Sequence, residues 1–386
     1  MKKHILILGA GISGLSTAWY LNKRFKDEIK VTIVEKSNRV GGWIQTINKD
    51  GFLFERGPRG FRPHPTTLAL VRELGLDKEL IYADPAAKRR YLYMNQKLQP
   101  ITPPFLLRLG LLSVLWRERK IPPSTEEDES IESFFLRRTN RRLAETLIDP
   151  LTTGIFGGDY RKLSIRSCFP TLHEWEQQHG SIIRGMLATR KTRTKSKGPL
   201  CSFREGMETL PKRLAERLPA EIKLASSPEG IEADHTISCL PPPDLPRVTL
   251  TTVGLGYRSP VLKKRGFGYL IPSKEKETIL GVTWDSEIFP IQNQENQTRL
   301  CVILRESEDP LQTAQEALER HLGITAGPDV CEINVAKNAI PQLTVGHHKR
   351  EYEGVCSVGI NNCIVHAEKV ASTGFGAHKL GITSAI

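Results

Sequence analysis

An apolar run, a glycine turn, a helix, a second apolar run and an acid follow one another at the start of this chain, and few folds satisfy that order. Residues 3–8 are apolar apart from their first two positions and lead straight into Gly9-Ala10-Gly11-Ile12-Ser13-Gly14. Apolar residues at helical spacing follow through residues 15–21, and a second strand over residues 30–34 ends in Glu35. A dinucleotide site needs this sequence of elements. Gly9 permits the tight turn, Gly11 lets the backbone approach a pyrophosphate, and Gly14 lets the helix pack closely on the strands. The helix N-terminus offers free N–H groups and a positive dipole end, with Ser13 in its first turn. Glu35 is placed to accept both hydroxyls of an adenosine ribose, which predicts a free 2′-hydroxyl.

The signature continues beyond the acid. Lys36, Arg39, the pair Gly41-Gly42 and Trp43 supply a second loop able to lie against the pyrophosphate. A flavin dinucleotide buried along its length suits such an extension better than a nicotinamide that must come and go.

At this point the chain resembles the FAD-dependent amine oxidase and protoporphyrinogen oxidase superfamily. Two further stretches resemble its protoporphyrinogen oxidase branch. One is Asp149-Pro150, then Gly154-Ile155-Phe156-Gly157-Gly158-Asp159, then Leu163-Ser164; the other is His179-Gly180-Ser181-Ile182. The resemblance implies an α/β fold. Its parts are a Rossmann-like FAD-binding domain of glutathione-reductase type, an antiparallel-sheet substrate domain and a helical, membrane-associating insertion. The expected boundaries are residues 1–84, 200–251 and 336–386 for the discontinuous FAD domain, 85–100 and 252–335 for the substrate sheet, and 101–199 for the insertion.

The resemblance also assigns roles. Gly57-Pro58 closes over the flavin, and Gly359 and Asn361 open the last helix beside it. Arg90 is placed to pair with a substrate propionate, with Arg89 one residue away as the alternative, and a guanidinium fork suits a carboxylate. Gly154 lies beside the reacting carbon, Phe156 packs against a pyrrole ring and Phe267 stacks near the substrate; a tight turn and ordinary core aromatics are the competing readings. The activity implied is oxidation of protoporphyrinogen IX to protoporphyrin IX in haem biosynthesis, by hydride transfer to FAD in three two-electron cycles. Molecular oxygen is the acceptor, and the product passes to a ferrochelatase. Coproporphyrinogen III oxidation and flavin or porphyrin binding without turnover are the alternatives. The chain departs from the family in its C-terminal half. Residues 220–234 leave little room for paired strands, residues 240–252 lack an expected helix, and residues 348–356 replace a helix and a strand.

Composition narrows the setting. Lys and Arg number 55 against 43 acids, a formal charge of +12, which favours anionic partners such as an acidic membrane surface or a polycarboxylate. No aromatic residue interleaves the basic run 191–197, so no nucleic-acid site is expected. Seven scattered cysteines with no CxxC pair point to a reduced, cytoplasmic setting and no metal site. The chain opens into a core strand, so no cleaved signal peptide is expected. Its longest apolar stretch, residues 105–116, is interrupted by Arg108 and is too short to span a bilayer. Flanked by Arg117, Arg119 and Lys120, it reads either as a helix lying in a membrane interface or as an ordinary packed helix.

Overall fold

A computed structural model describes residues 2–189, 198–350 and 359–373. The basic run 191–197, part of the shortened segment 348–356 and residues 374–386 of the closing segment lie outside the described residues.

The nucleotide part forms as its sequence pattern demands. Lys3–Leu8, Ile29–Val34, Glu221–Lys223 and His235–Ser238 make a parallel four-stranded sheet with Lys3–Leu8 and Ile29–Val34 at its centre. Ile5, Ile7, Val31 and Ile33 lie in one buried core with residues of the helices Ile12–Phe25, Thr209–Arg217 and Ile360–Thr373. Both strands are apolar on two faces, as parallel strands covered on each side are. The other side carries residues 224–234 as a loop without strands, held by Ala225 N–H to the Ser37 carbonyl and His4 Nδ1 to the Glu232 carbonyl. The shortening expected there is therefore present, and the connection from Leu240 to the next strand at Arg247 contains no helix.

A seven-stranded sheet forms the second part. Its order is Val330–Pro341, Arg247–Tyr257, Thr298–Leu304, Ile279–Thr283, Gly268–Leu270, Tyr91–Met94, Lys97–Pro100. It is mixed where a purely antiparallel sheet was expected, because Gly268–Leu270 runs parallel to Tyr91–Met94. Tyr91–Met94 and Lys97–Pro100 form a hairpin within it: Asn95 and Gln96 both take positive φ and reverse the chain. The strands Arg247–Tyr257 and Val330–Pro341 run across the expected boundaries at 251/252 and 335/336.

The insertion is helical, as expected, but its apolar stretch is broken. Gly110, at φ +85°, splits residues 103–118 into Pro103–Arg108 and Leu111–Glu118. The helix Ile131–Arg138 follows, and Asn140 caps a new turn through the Leu143 N–H. A buried ion network explains why these short helices hold together. Arg138, fully buried, pairs with Glu118 and Glu176, while Arg137 reaches Glu176 and Glu129. Ser181 caps the helix Ile182–Ala188 and donates its hydroxyl to Glu118. The glycine-serine-isoleucine stretch thus serves as a structural anchor.

Candidate active site

The glycine turn is built for close approach. A Cβ on Gly14 would lie 1.9 Å from the Gly9 carbonyl oxygen, so only glycine lets the helix start this near the first strand. The second loop meets the first at a bridge between Gly11 and Gly41, and Gly41 N–H donates to the Ala10 carbonyl at 2.8 Å. A Cβ on Gly42 would come within 3.1 Å of Gly11 Cα, so two bare backbones face one another here. Helix Ile12–Phe25 begins with no side-chain cap, leaving its first N–H groups for a ligand. Glu35 accepts from Ala10 N–H at 2.8 Å and from the Ser37 N–H and hydroxyl at 2.9 and 2.8 Å. Ser37 supplies both donors to Oε1 and Ala10 one to Oε2, so the bonds fix the carboxylate and leave acceptor capacity on Oε2. This cradle fits a dinucleotide diphosphate and ribose.

Two residues expected at the cofactor also shape the loops around it. Arg39 donates to the carbonyls of Val40, Ile44 and Gly42, so it shapes its own loop. Asn361 donates to the Arg62 carbonyl at 3.0 Å and accepts from the Thr67 hydroxyl at 2.7 Å, so it ties the last helix to the 62–67 loop. Lys36 and Trp43 are exposed beside the cradle. Gly57 supports it from below, since a Cβ there would lie 1.8 Å from the Trp43 carbonyl oxygen, and Pro58 continues that turn. Gly359 takes φ +88° just before the helix Ile360–Thr373.

The second half of the site lies on one face of the seven-stranded sheet. Leu92 and Leu270 are paired neighbours on adjacent strands, and strand alternation puts Arg90 on the same face as Leu92. Gly154, exposed in the helix Asp149–Phe156, sits over that face: a Cβ on it would meet Leu270 Cδ2 at 2.6 Å. Arg90 stacks over the half-buried Phe267 ring at 4.9 Å. Desolvation, and then the charge of Arg62, lower its pKa. Arg90 and Phe267 are thus in contact, and Gly154 lies against Leu270, whose strand neighbour Leu92 is two residues from Arg90. Phe156 is not: it is 1% exposed in the helical core, edge-on to Phe169 at 5.8 Å, and its expected contact with a pyrrole ring is corrected.

A buried polar cluster joins the two halves, and the sequence reading gave it no role. Glu55 accepts from Met207 N–H at 2.7 Å and from the Thr46 hydroxyl at 2.9 Å. Burial pushes its carboxyl up to about 7 against those two hydrogen bonds. Next to it, Arg59 Nε lies 2.9 and 3.1 Å from the two Asp285 oxygens. An acid closing the apolar run Phe52-Leu53-Phe54 was the available signal, since a charge ending a buried strand needs a partner.

The family is decided by comparison with known proteins. Residues 12–271 match the model of the flavin containing amine oxidoreductases. This chain belongs to that family. Among curated members, protoporphyrinogen oxidase of Bos taurus is 32% identical over 480 residues, covering 97% of this chain and 99% of that protein. The Homo sapiens protoporphyrinogen oxidase is 31% identical with the same coverage, and coproporphyrinogen III oxidase of Bacillus subtilis is 28% identical, covering 96% and 97%. Those 480 aligned positions exceed the 386 residues here, so these family members carry internal segments that this chain lacks. The fold agrees with that of a putative protoporphyrinogen oxidase from Exiguobacterium, at a TM-score of 0.78 and 22% identity over 97% of this chain and 98% of that one.

Proposed function

We propose that this chain is an FAD-dependent oxidoreductase that oxidises protoporphyrinogen IX to protoporphyrin IX, a step of haem biosynthesis. One observation carries the reading. Arg90 stacks on Phe267 and Gly154 lies against Leu270, the strand neighbour of Leu92, in a chain similar over nearly its full length to protoporphyrinogen oxidases.

FAD, when bound, supplies the two-electron acceptor. The protein holds it through the turn from Gly9 to Gly14, the Gly41-Gly42 loop and Glu35. Arg90 binds a propionate and fixes the macrocycle's orientation. Leu92 and Leu270 form an apolar wall that excludes water, and the missing side chain at Gly154 leaves room for a flat ring. Six hydrogens leave the substrate in three two-electron rounds, with molecular oxygen as final acceptor and hydrogen peroxide as product. The porphyrin then passes to a metal-inserting ferrochelatase.

The purified protein should release FAD on denaturation and turn over protoporphyrinogen IX faster than coproporphyrinogen III, assayed side by side by porphyrin fluorescence. Flavin that neither porphyrinogen reduces anaerobically would instead mark a binding protein. Arg90→Ala should raise KM for protoporphyrinogen about tenfold, the value of one charge-assisted carboxylate contact, while leaving bound flavin unchanged. An unchanged kcat/KM would remove Arg90 from the site.

A peripheral membrane location at the cytoplasmic face belongs to the same proposal. No helix among the described residues is long and apolar enough to cross a membrane. The helix Leu111–Glu118, however, exposes Leu112 and Trp116, each by 67%, and Lys120 lies 3.7 Å over the Trp116 ring. Leu107, Met186 and Leu187 are exposed in the same insertion. Binding to vesicles containing anionic lipid should fall about tenfold in the double variant Leu112→Ser with Trp116→Ser, measured by co-sedimentation. Equal pelleting of both proteins would refute this location.

A further inference from the structure

The surface beside Phe267 carries charge of one sign. Residues 85–117 contain no acid, and neither do residues 258–273. Each stretch holds a run of cations, Lys88-Arg89-Arg90 and Lys263-Lys264-Arg265, and every one of these residues is exposed. The fold sets the two distant runs side by side. Phe267 N–H donates to the Arg89 carbonyl at 2.9 Å, and the Tyr91 hydroxyl donates to the Arg265 carbonyl at 3.2 Å. Lys264 Nζ stands 5.8 Å from the centre of the Tyr91 ring, and a Cβ on Gly266 would lie 2.9 Å from the Arg89 carbonyl oxygen, so the runs are in backbone contact. Compensation is partial. Arg265 pairs with Glu287 and Asp84, whereas Lys88, Arg89, Lys263 and Lys264 make no ion pair among the described residues. Protein surfaces usually intersperse charges of both signs, and a field of one sign carries a self-repulsion that an incoming anion relieves.

We propose that this patch is an electrostatic funnel that captures propionate-bearing tetrapyrroles from solution and delivers them to Arg90. The proposal rests on the porphyrinogen reading above. Arg90 closes the first run and Phe267 follows the second, and the two side chains stack at 4.9 Å, so a carboxylate drawn to the patch arrives at the anchor. Ionised propionates are the charged groups of an otherwise apolar macrocycle. The flanking cations reach them across about one Debye length, ~8 Å at physiological salt, and turn the acidic edge of the ring toward the protein before contact. Steering of this kind raises association rates by about 10- to 1,000-fold and fades as salt rises. It acts on arrival, so the bound geometry and the redox step are untouched.

The test uses the full chain with FAD bound and two oxidised porphyrins kept monomeric in neutral detergent: coproporphyrin III, with four carboxylates, and protoporphyrin IX, with two. Stopped-flow porphyrin fluorescence gives the association rate constants as NaCl is raised. Between about 20 and about 300 mM salt, the wild-type rate should fall roughly tenfold for coproporphyrin III and roughly threefold for protoporphyrin IX, in step with their charge. The triple variant Lys88→Gln, Lys263→Gln, Lys264→Gln should associate about fivefold more slowly at low salt and converge with the wild type at high salt, with kcat for protoporphyrinogen IX within about twofold. Arginine at the same three positions keeps the charge and should preserve the wild-type rates. A glutamine variant with the wild-type salt dependence overturns the proposal. So does one that keeps its porphyrin association rates but loses binding to vesicles of anionic phospholipid, since the patch then serves a membrane. Steered porphyrin association in a protein that oxidises neither porphyrinogen would uphold the funnel and remove the oxidase reading.

Discussion

Alanine at position 14 should empty the nucleotide cradle. The new methyl would lie 1.9 Å from the Gly9 carbonyl oxygen, far inside contact distance, and both partners are backbone. Relief requires the helix Ile12–Phe25 to move off the first strand, which carries the free N–H groups away from the diphosphate position. Forced overpacking of this kind costs about 1–3 kcal/mol, so FAD affinity should drop roughly tenfold to a hundredfold. Released flavin after denaturation and titration of the stripped protein with FAD both read this out. A Gly14→Ala protein with full flavin occupancy would show that the diphosphate does not use this turn. Folding of the sheet beyond residue 84 should be unaffected.

Removal of Arg138 should be the most destabilising single change in the helical insertion. It leaves the buried Glu118 and Glu176 facing each other without their shared cation, and it strips donors from the carbonyls of Glu118, Ile121, Pro122 and Gly180. Breaking a buried ion network from one side costs about 3–5 kcal/mol, and Arg138→Ala should lose that much in denaturant unfolding of the insertion. The network also gives the wild type an acid limb. Burial disfavours ionised Glu176, but the hydrogen bonds from Arg137 and Arg138 outweigh it and hold its carboxyl below the ordinary range. A lowered folded pKa means its stabilisation is complete above the unfolded value and is lost as pH falls through the folded one. Arg138→Ala should flatten that limb, and equal stability of the two proteins at neutral pH would refute the network's role.

The sequence made the nucleotide half legible because local patterning and function coincide there. Gly9, Gly11, Gly14 and Glu35 are spaced by the geometry of one strand-turn-helix unit, and the same spacing places them around one ligand. The site's other half depends on strands that meet only in three dimensions. Leu92 and Leu270 are neighbours by sheet order, and nothing local in either segment announces it. The same holds for Glu118, Arg138 and Glu176, charges on separate helices that meet only once the helices pack. Phe156 shows the converse error, in which a residue within a recognised motif is given the motif's function while its side chain serves packing.

The path of the chain carries one more consequence. It leaves the nucleotide part after residue 84, re-enters it at Cys201, leaves again after Ser238 and finishes in the helix Ile360–Thr373 against Ile12–Phe25. Re-entry is stitched by a strand pair, Leu80–Tyr82 with Cys201–Phe203. A clamshell motion between the two parts would have to bend every one of these connections at once, unlike enzymes whose lobes share a single linker. Access to the face proposed to hold the ring therefore depends on small local movements, such as rotamer changes at Leu270 and shifts of the short helix Asp149–Phe156. Cross-linking the two parts should leave turnover intact, whereas stapling that helix to the sheet should stop it.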